Sequence, residues 1–151
     1  LASIREQIVI ALVAALNAEG GPAGLTVHRE RTRPIEIDSL PAIMVYNDDD
    51  VPKPLAAQVY AAPLTERRLS VAMECRAAGS SGISPDQALD PILVWAAEAV
   101  FADEHFGGLA SSVEEGRTVW SSKETDTPIA AAKWNVTIKY RTARTDPTSA
   151  S

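Results

Sequence analysis

Residues 84–106, SPDQALDPILVWAAEAVFADEHF, decide how the rest of the chain is arranged. They read as the central helix: Ser84 is an N-cap, Pro85 suits the first helical position, and Gln87 completes an S-x-x-Q capping box. Gly107-Gly108 supplies the left-handed stop that helix ends often use. Pro91 lies about two turns in and predicts a kink, or a helix restarted with Asp90 as N-cap. Between Ile92 and Ala102 the only charge is Glu98. Leu89, Leu93, Ala96 and Val100 form one apolar stripe, Ile92, Trp95 and Ala99 widen it, and Val94 with Phe101 takes the far side. A helix so apolar needs cover on more than one face. A sheet is the expected cover on one side, the first helix or a neighbouring subunit on the other.

Upstream, SIREQIVIALVAALNAEGG predicts a second helix. Ser3 and Glu6 have capping-box spacing, Ile4, Ile8, Leu12 and Leu16 repeat helically, and Gly20-Gly21-Pro22 ends the pattern. No polar residue falls between Ile8 and Leu16, so this helix is expected to be deeply packed. A membrane-surface helix would need a basic polar face, which is missing.

Leu25–Glu30 alternates and predicts a short strand, after which Arg29, Arg31 and Arg33 place three cations two apart on one side. Leu40–Asn47 is the next strand, Ile43 and Val45 on one face, Met44 and Tyr46 on the other. The stretch Asn47–Arg67, with Asp48-Asp49-Asp50 and three prolines, reads as a long loop whose apolar residues (Val51, Leu55, Val59, Tyr60, Leu64) dock on this subunit or the next. Leu69–Arg76 alternates strictly, with Leu69, Val71, Met73 and Cys75 facing one way. After the central helix, Leu109–Glu115 and Thr118–Ser122 read as a strand broken at Gly116, and Lys123–Pro128 as a turn. Ile129–Arg141 is the longest strand, apolar on the face of Ala130 to Tyr140 and polar on the face of Lys133, Asn135, Thr137, Lys139 and Arg141. Such two-sidedness predicts an antiparallel sheet wet on one face, or facing a polar lumen. The expected fold is α+β, a mostly antiparallel sheet of about five strands packed with two helices in the order α-β-β-β-α-β-β. It forms a single domain over 1–141, with 142–151 a flexible tail.

The chemistry-bearing residues are few. Gly79-Ser80-Ser81-Gly82 misses the G-x-S-x-G spacing of a nucleophile elbow. Cys75 could pair with His28 or His105 only if the fold brought them together, and it falls on the apolar face of its strand. Asp48-Asp49-Asp50 lacks the register of a calcium loop, and two histidines with one cysteine fall short of a structural zinc site. Asp103-Glu104 and Glu114-Glu115 are adjacent carboxylates, which do not face each other on a helix. Asn135-Val136-Thr137 matches a glycosylation acceptor by chance, inside a strand. No cofactor, no metal and no enzyme activity is expected.

At 151 residues, 46% of them hydrophobic and 23% charged, the chain has the size and balance of one ordinary domain. A formal charge of −6 argues against gripping nucleic acid through its phosphates, yet suits a surface past which DNA slides. A single cysteine allows no internal disulfide, and no stretch approaches the roughly 20 apolar residues of a membrane span. A cytoplasmic origin with no signal peptide is the expectation.

The layout carries a resemblance. IREQIVIALVAAL leads to VHRERTRP, then LPAIMVY with aspartates after it, RRLSVAMECRA, the DQALDPILVWAAEAVFAD helix closed by FGGLA, and IAAAKWNVTIKYRT. This resembles the tail terminators, minor tail proteins of long-tailed bacteriophages, over nearly the whole chain to Arg141. The resemblance implies a small α+β subunit of a hexameric ring in the virion neck. Such a ring caps the tail tube, ends its polymerisation, meets a head-completion protein and lets DNA pass through its lumen. Other neck and head-closure proteins have related shapes, and a small ligand-binding or hydrolytic domain using Cys75 or His28 is the alternative from another class. A ring requires one patch to meet a different patch on its neighbour. The candidate patches are Arg29, Arg31 and Arg33 against Asp48, Asp49 and Asp50.

Overall fold

The computed structural model describes residues 2–29, 40–54, 64–123, 128–144 and 146–150. Two helices and six strands follow in the order α1 (Ile4–Leu16), β1 (Thr26–Arg29), β2 (Ala42–Pro54), β3 (Leu64–Ala78), α2 (Pro85–Phe101), β4 (Ser112–Lys123), β5 (Ile129–Ala143) and β6 (Asp146–Ala150). The sheet runs β1-β2-β3-β5-β4, with β6 also on β5. Only the β1–β2 pair is parallel; all others are antiparallel. The fold is therefore α+β with a mostly antiparallel sheet, of six strands rather than five.

Alternation sorts the sheet into two faces. Ile43 and Val45 of β2, Leu69, Val71, Met73 and Cys75 of β3, and Val136 and Ile138 of β5 are all completely buried. Both helices lie against this face. The stripe Leu89, Ile92, Ala96 and Val100 of α2 is buried, and α2 packs on β3, β5 and α1. The Phe101 ring meets Trp134 of β5 at 6.2 Å between centroids. Ile4, Ile8, Val9, Leu12 and Leu16 are buried in α1. Each such aliphatic side chain contributes about 1.5–3 kcal/mol on full burial. Ala96 has no accessible surface, so space there admits a methyl and little more. The second cover of α2 is thus α1, and the indole N–H of Trp95 donates to the carbonyl of Leu16 at 3.0 Å, taking up an orphan acceptor at the α1 C-terminus.

The helix ends show which local signals prevail. Ser84 accepts from the Gln87 N–H, and the Gln87 side chain accepts from the Ser84 N–H, so the predicted capping box is complete. At α1 only half of the box forms. Ser3 accepts from the Glu6 N–H at 3.1 Å, but both Glu6 carboxylate oxygens take the guanidinium of Arg29. A bidentate charge-assisted pair outcompetes one neutral N–H. Pro91 neither ends nor restarts α2, which is one element from Pro85 to Phe101. Pro91 and Gln87 are both exposed, so the carbonyl that Pro91 leaves without a donor can be hydrated. The helix also stops at Phe101, five residues short of the predicted end. Phe106, Gly107 and Gly108 take positive φ in the turns that follow.

Two further expectations change. The predicted loop Asn47–Arg67 is largely a hairpin: β2 continues through the aspartates to Pro54, pairing Asp50 with Leu69 and Pro54 with Thr65. Beyond Val45 no described strand covers the outer side of β2, and prolines are tolerated on such an edge. Residues 55–63, with Leu55, Val59 and Tyr60, lie outside the described part. The tail expected to be flexible continues β5 to Ala143 and returns as β6, Ala143 opposite Asp146. Backbone pairing makes this strand although none of its described side chains, Asp146 to Thr148, is a buried core residue, which a reading by hydrophobic pattern misses.

Candidate assembly surface

The cations and anions nominated from sequence divide differently in three dimensions. Arg29 stands opposite Val45 on the helix face and grips Glu6 of its own chain, at 2.6 and 3.1 Å. That hydrogen bonding, with Arg29's charge behind it, holds the Glu6 carboxyl below the usual range despite partial desolvation. Arg31 and Arg33 lie outside the described residues.

The three aspartates separate as well. Asp48 is the extra residue of a bulge between Asn47 and Asp49, and Asp48 and Asp49 are exposed. Lys133 of β5 comes within 4.0 Å of Asp48 while its ammonium lies 5.3 Å from the centroid of the Tyr46 ring. Asp50 turns inward and its side chain is only 9% exposed. Its Oδ2 accepts the Tyr140 hydroxyl at 2.6 Å and Arg5 at 3.1 Å, with Arg67 at 3.9 Å. Burial, then the neighbouring carboxylate, pushes the Tyr140 phenol well above its ordinary range. Asp50 is therefore the knot that ties α1, β2, β3 and β5 at one end of the sheet. Sequence spacing gave no sign of it, because its partners lie 45 and 90 positions away.

No described element packs on the other face of the sheet. Lys133, Asn135, Thr137 and Lys139 of β5 lie half-buried along it, with Arg141 exposed at its end. Lys139 pairs with Glu114 at 2.8 Å and Arg76 with Glu74 at 3.3 Å. Lys139 thereby holds the Glu114 carboxyl below its usual range. These pairs lie along the plane of the face, forming a surface rather than a convergent cluster.

The two edges are built unlike. The β2 edge beyond Val45 carries the bulge, three aspartates, Pro52 and Pro54. The β4 edge has its own bulge, where Gly116 and Arg117 together oppose Asn135. A Cβ at Gly116 would lie 2.7 Å from the Asn135 carbonyl oxygen, so the bulge requires glycine. Past it, Thr118–Ser122 holds no charge and no proline, and Val119 and Trp120 are 52% and 58% exposed. Trp120 rims a groove between α2 and β4, together with Leu93, Val94, Ala97, Thr118 and Trp134. The Trp134 indole N–H is buried there with no partner among the described residues. At about 270 Å³, and with Glu115 the only ionisable group among its described lining residues, the groove is smaller and less polar-pointed than an ordinary ligand pocket.

The remaining candidates have structural employment. The Cys75 thiol is completely buried, and desolvation, then Glu74, pushes its pKa to about 12, so it is no thiolate at neutral pH. His28 Nε2 lies 3.0 Å from the Thr26 hydroxyl. His105 sits in the turns after α2, its Nδ1 3.1 Å from the Ala110 carbonyl. Asp103 accepts from the Gly107 and His105 N–H groups, which hold its carboxyl below the usual range. Among the described residues no three histidine, cysteine or carboxylate side chains group as metal ligands, and no helix is long and apolar enough to cross a membrane. Compared with protein-family models and with curated proteins, the chain matches neither a family nor an individual protein.

Proposed function

We propose that the chain is a structural subunit of a long-tailed bacteriophage: a tail terminator, several copies of which close into a ring on the end of the tail tube. Six copies are the number the sequence resemblance implies. The ring ends polymerisation by presenting a layer that the next tube subunit cannot extend, and it gives a head-completion protein a surface to join. The observation that carries this reading is one-sided layering. Both helices crowd one face of the sheet, and the other is a broad polar plane whose side chains pair laterally. A subunit of that shape has its unlike edges on opposite sides, as head-to-tail association about an axis requires. A net charge of −6 agrees with a lumen through which DNA moves without being held.

The test is direct. Negative-stain images of the purified chain, alone and mixed with tail tubes, are expected to contain six-fold rings and capped tubes that no longer lengthen. A chain that stays monomeric at every concentration, tubes included, overturns the proposal. We favour the assembly reading over the hydrolytic alternative because Cys75 is packed in the core and His28 contacts Thr26 on the open face.

A further inference from the structure

We infer that the sheet continues from copy to copy, with β4 of one subunit adding alongside the outer half of β2 in the next. The inference rests on the ring proposed above and names the surfaces that would close it.

Topology supplies the first argument. Among the described strands β4 is the outermost on one side, and on the other side the described part of β1 covers β2 from Ala42 to Val45. From Tyr46 to Val51, β2 therefore presents main-chain N–H and C=O groups with no described partner on that side, as does β4. Direction supplies the second. β2, β3, β5 and β4 alternate in sense, so β4 runs opposite to β2. Rotation about a common axis sets them side by side as an antiparallel ladder, which is the more stable pairing.

Side chains supply the third argument. On the open face each edge carries one protruding valine, Val51 on β2 and Val119 on β4, both 52% exposed. Placing these two opposite each other puts Asp49 across from Ser121 and Asp50 across from Trp120, residues sharing a face in each pair. The acidic β2 run then meets a stretch of β4, from Gly116 to Lys123, that holds no acid. Two β2 edges brought together would instead oppose aspartates, a destabilising arrangement. The partner that fits the β2 edge is thus the β4 edge of a second copy.

Two exposed substitutions test this, with circular dichroism to verify that both variants fold. Val51→Lys and Val119→Glu are each expected to raise the concentration needed for assembly at least tenfold by analytical ultracentrifugation. Mixing the two variants in equal amounts is expected to restore a ring. The new lysine then meets the new glutamate at every second interface, and native valines meet at the others. Val119→Thr, which keeps a β-branched residue, is expected to assemble like the parent. Unimpaired assembly of either charged variant overturns the inference, and so does a mixture that stays dissociated. A parent ring that persists through Val51→Lys but dissociates with Val119→Glu indicates β4 pairing with β4 and also overturns it. Only a parent chain that never assembles removes the ring proposal itself.

Discussion

The two edges of this sheet answer the same physical problem in opposite ways. An edge strand exposes a row of hydrogen-bonding groups that can recruit another chain, and proteins blunt it with charge, proline and bulges. The outer half of β2 uses all three within Asn47–Pro54. It also anchors the run inward, through Asp50 to Arg5 and Tyr140. β4 has a bulge at Gly116 and then five uncharged residues with Val119 and Trp120 exposed. The difference teaches that exposure alone does not mark a docking strand. On β2 the defence is selective: its aspartates disfavour a second β2 edge, whereas the stretch of β4 from Gly116 to Lys123 holds no acid and is compatible with it.

That contrast can be broken from either side. The largest effect is expected at the anchored edge, where Asp50→Ala leaves the buried Tyr140 hydroxyl without its acceptor, a loss of about 2–3 kcal/mol in denaturant unfolding. At the open edge, Gly116→Ala forces a Cβ against the Asn135 carbonyl and is expected to cost about 1–2 kcal/mol by the same measurement. Arg29→Ala is smaller, about 0.5 kcal/mol, because both partners are more than 30% exposed and water screens the pair. Its signature is in the pH dependence. Arg29 lowers the folded pKa of Glu6, so the pair's contribution is present above the unfolded carboxylate pKa and lost as pH falls through the folded value. The variant is expected to show a shallower acid limb. Smallest in stability is Trp120→Ser, expected within about 0.5 kcal/mol of the parent but with weaker binding of a hydrophobic dye.

Much of the fold was legible because it rests on local chemistry. The Ser84–Gln87 box, the alternation of Leu69–Arg76 and Ile129–Arg141, and the break at Gly116 all follow from short-range rules that the structure obeys. What was illegible depended on residues far apart in sequence. Asp48-Asp49-Asp50 and two prolines look like loop until an uncovered edge tolerates the prolines and Arg5, Tyr140 and Arg67 gather around Asp50. The same distance hid the Glu6–Arg29 pair, which takes both partners out of the roles that spacing suggested. The α2–β4 groove was hidden for a related reason: Trp120 and Trp134 share a face only once β4 and β5 are paired in register. Alternation of Thr118, Trp120 and Ser122 was the available signal, masked by their weak hydrophobic contrast.

The indole of Trp95, bonded to Leu16 and resting about 3.1 Å from where a Cβ on Gly21 would stand, has a practical corollary. The three tryptophans occupy three environments: Trp134 enclosed, Trp95 tethered to the end of α1, and Trp120 facing solvent. Intrinsic fluorescence can therefore be assigned by single replacements with phenylalanine. A change in the Trp95 signal would report separation of the helix pair, whereas quenching or blue-shift of Trp120 would report a neighbour arriving, and the two events could be timed in one cuvette.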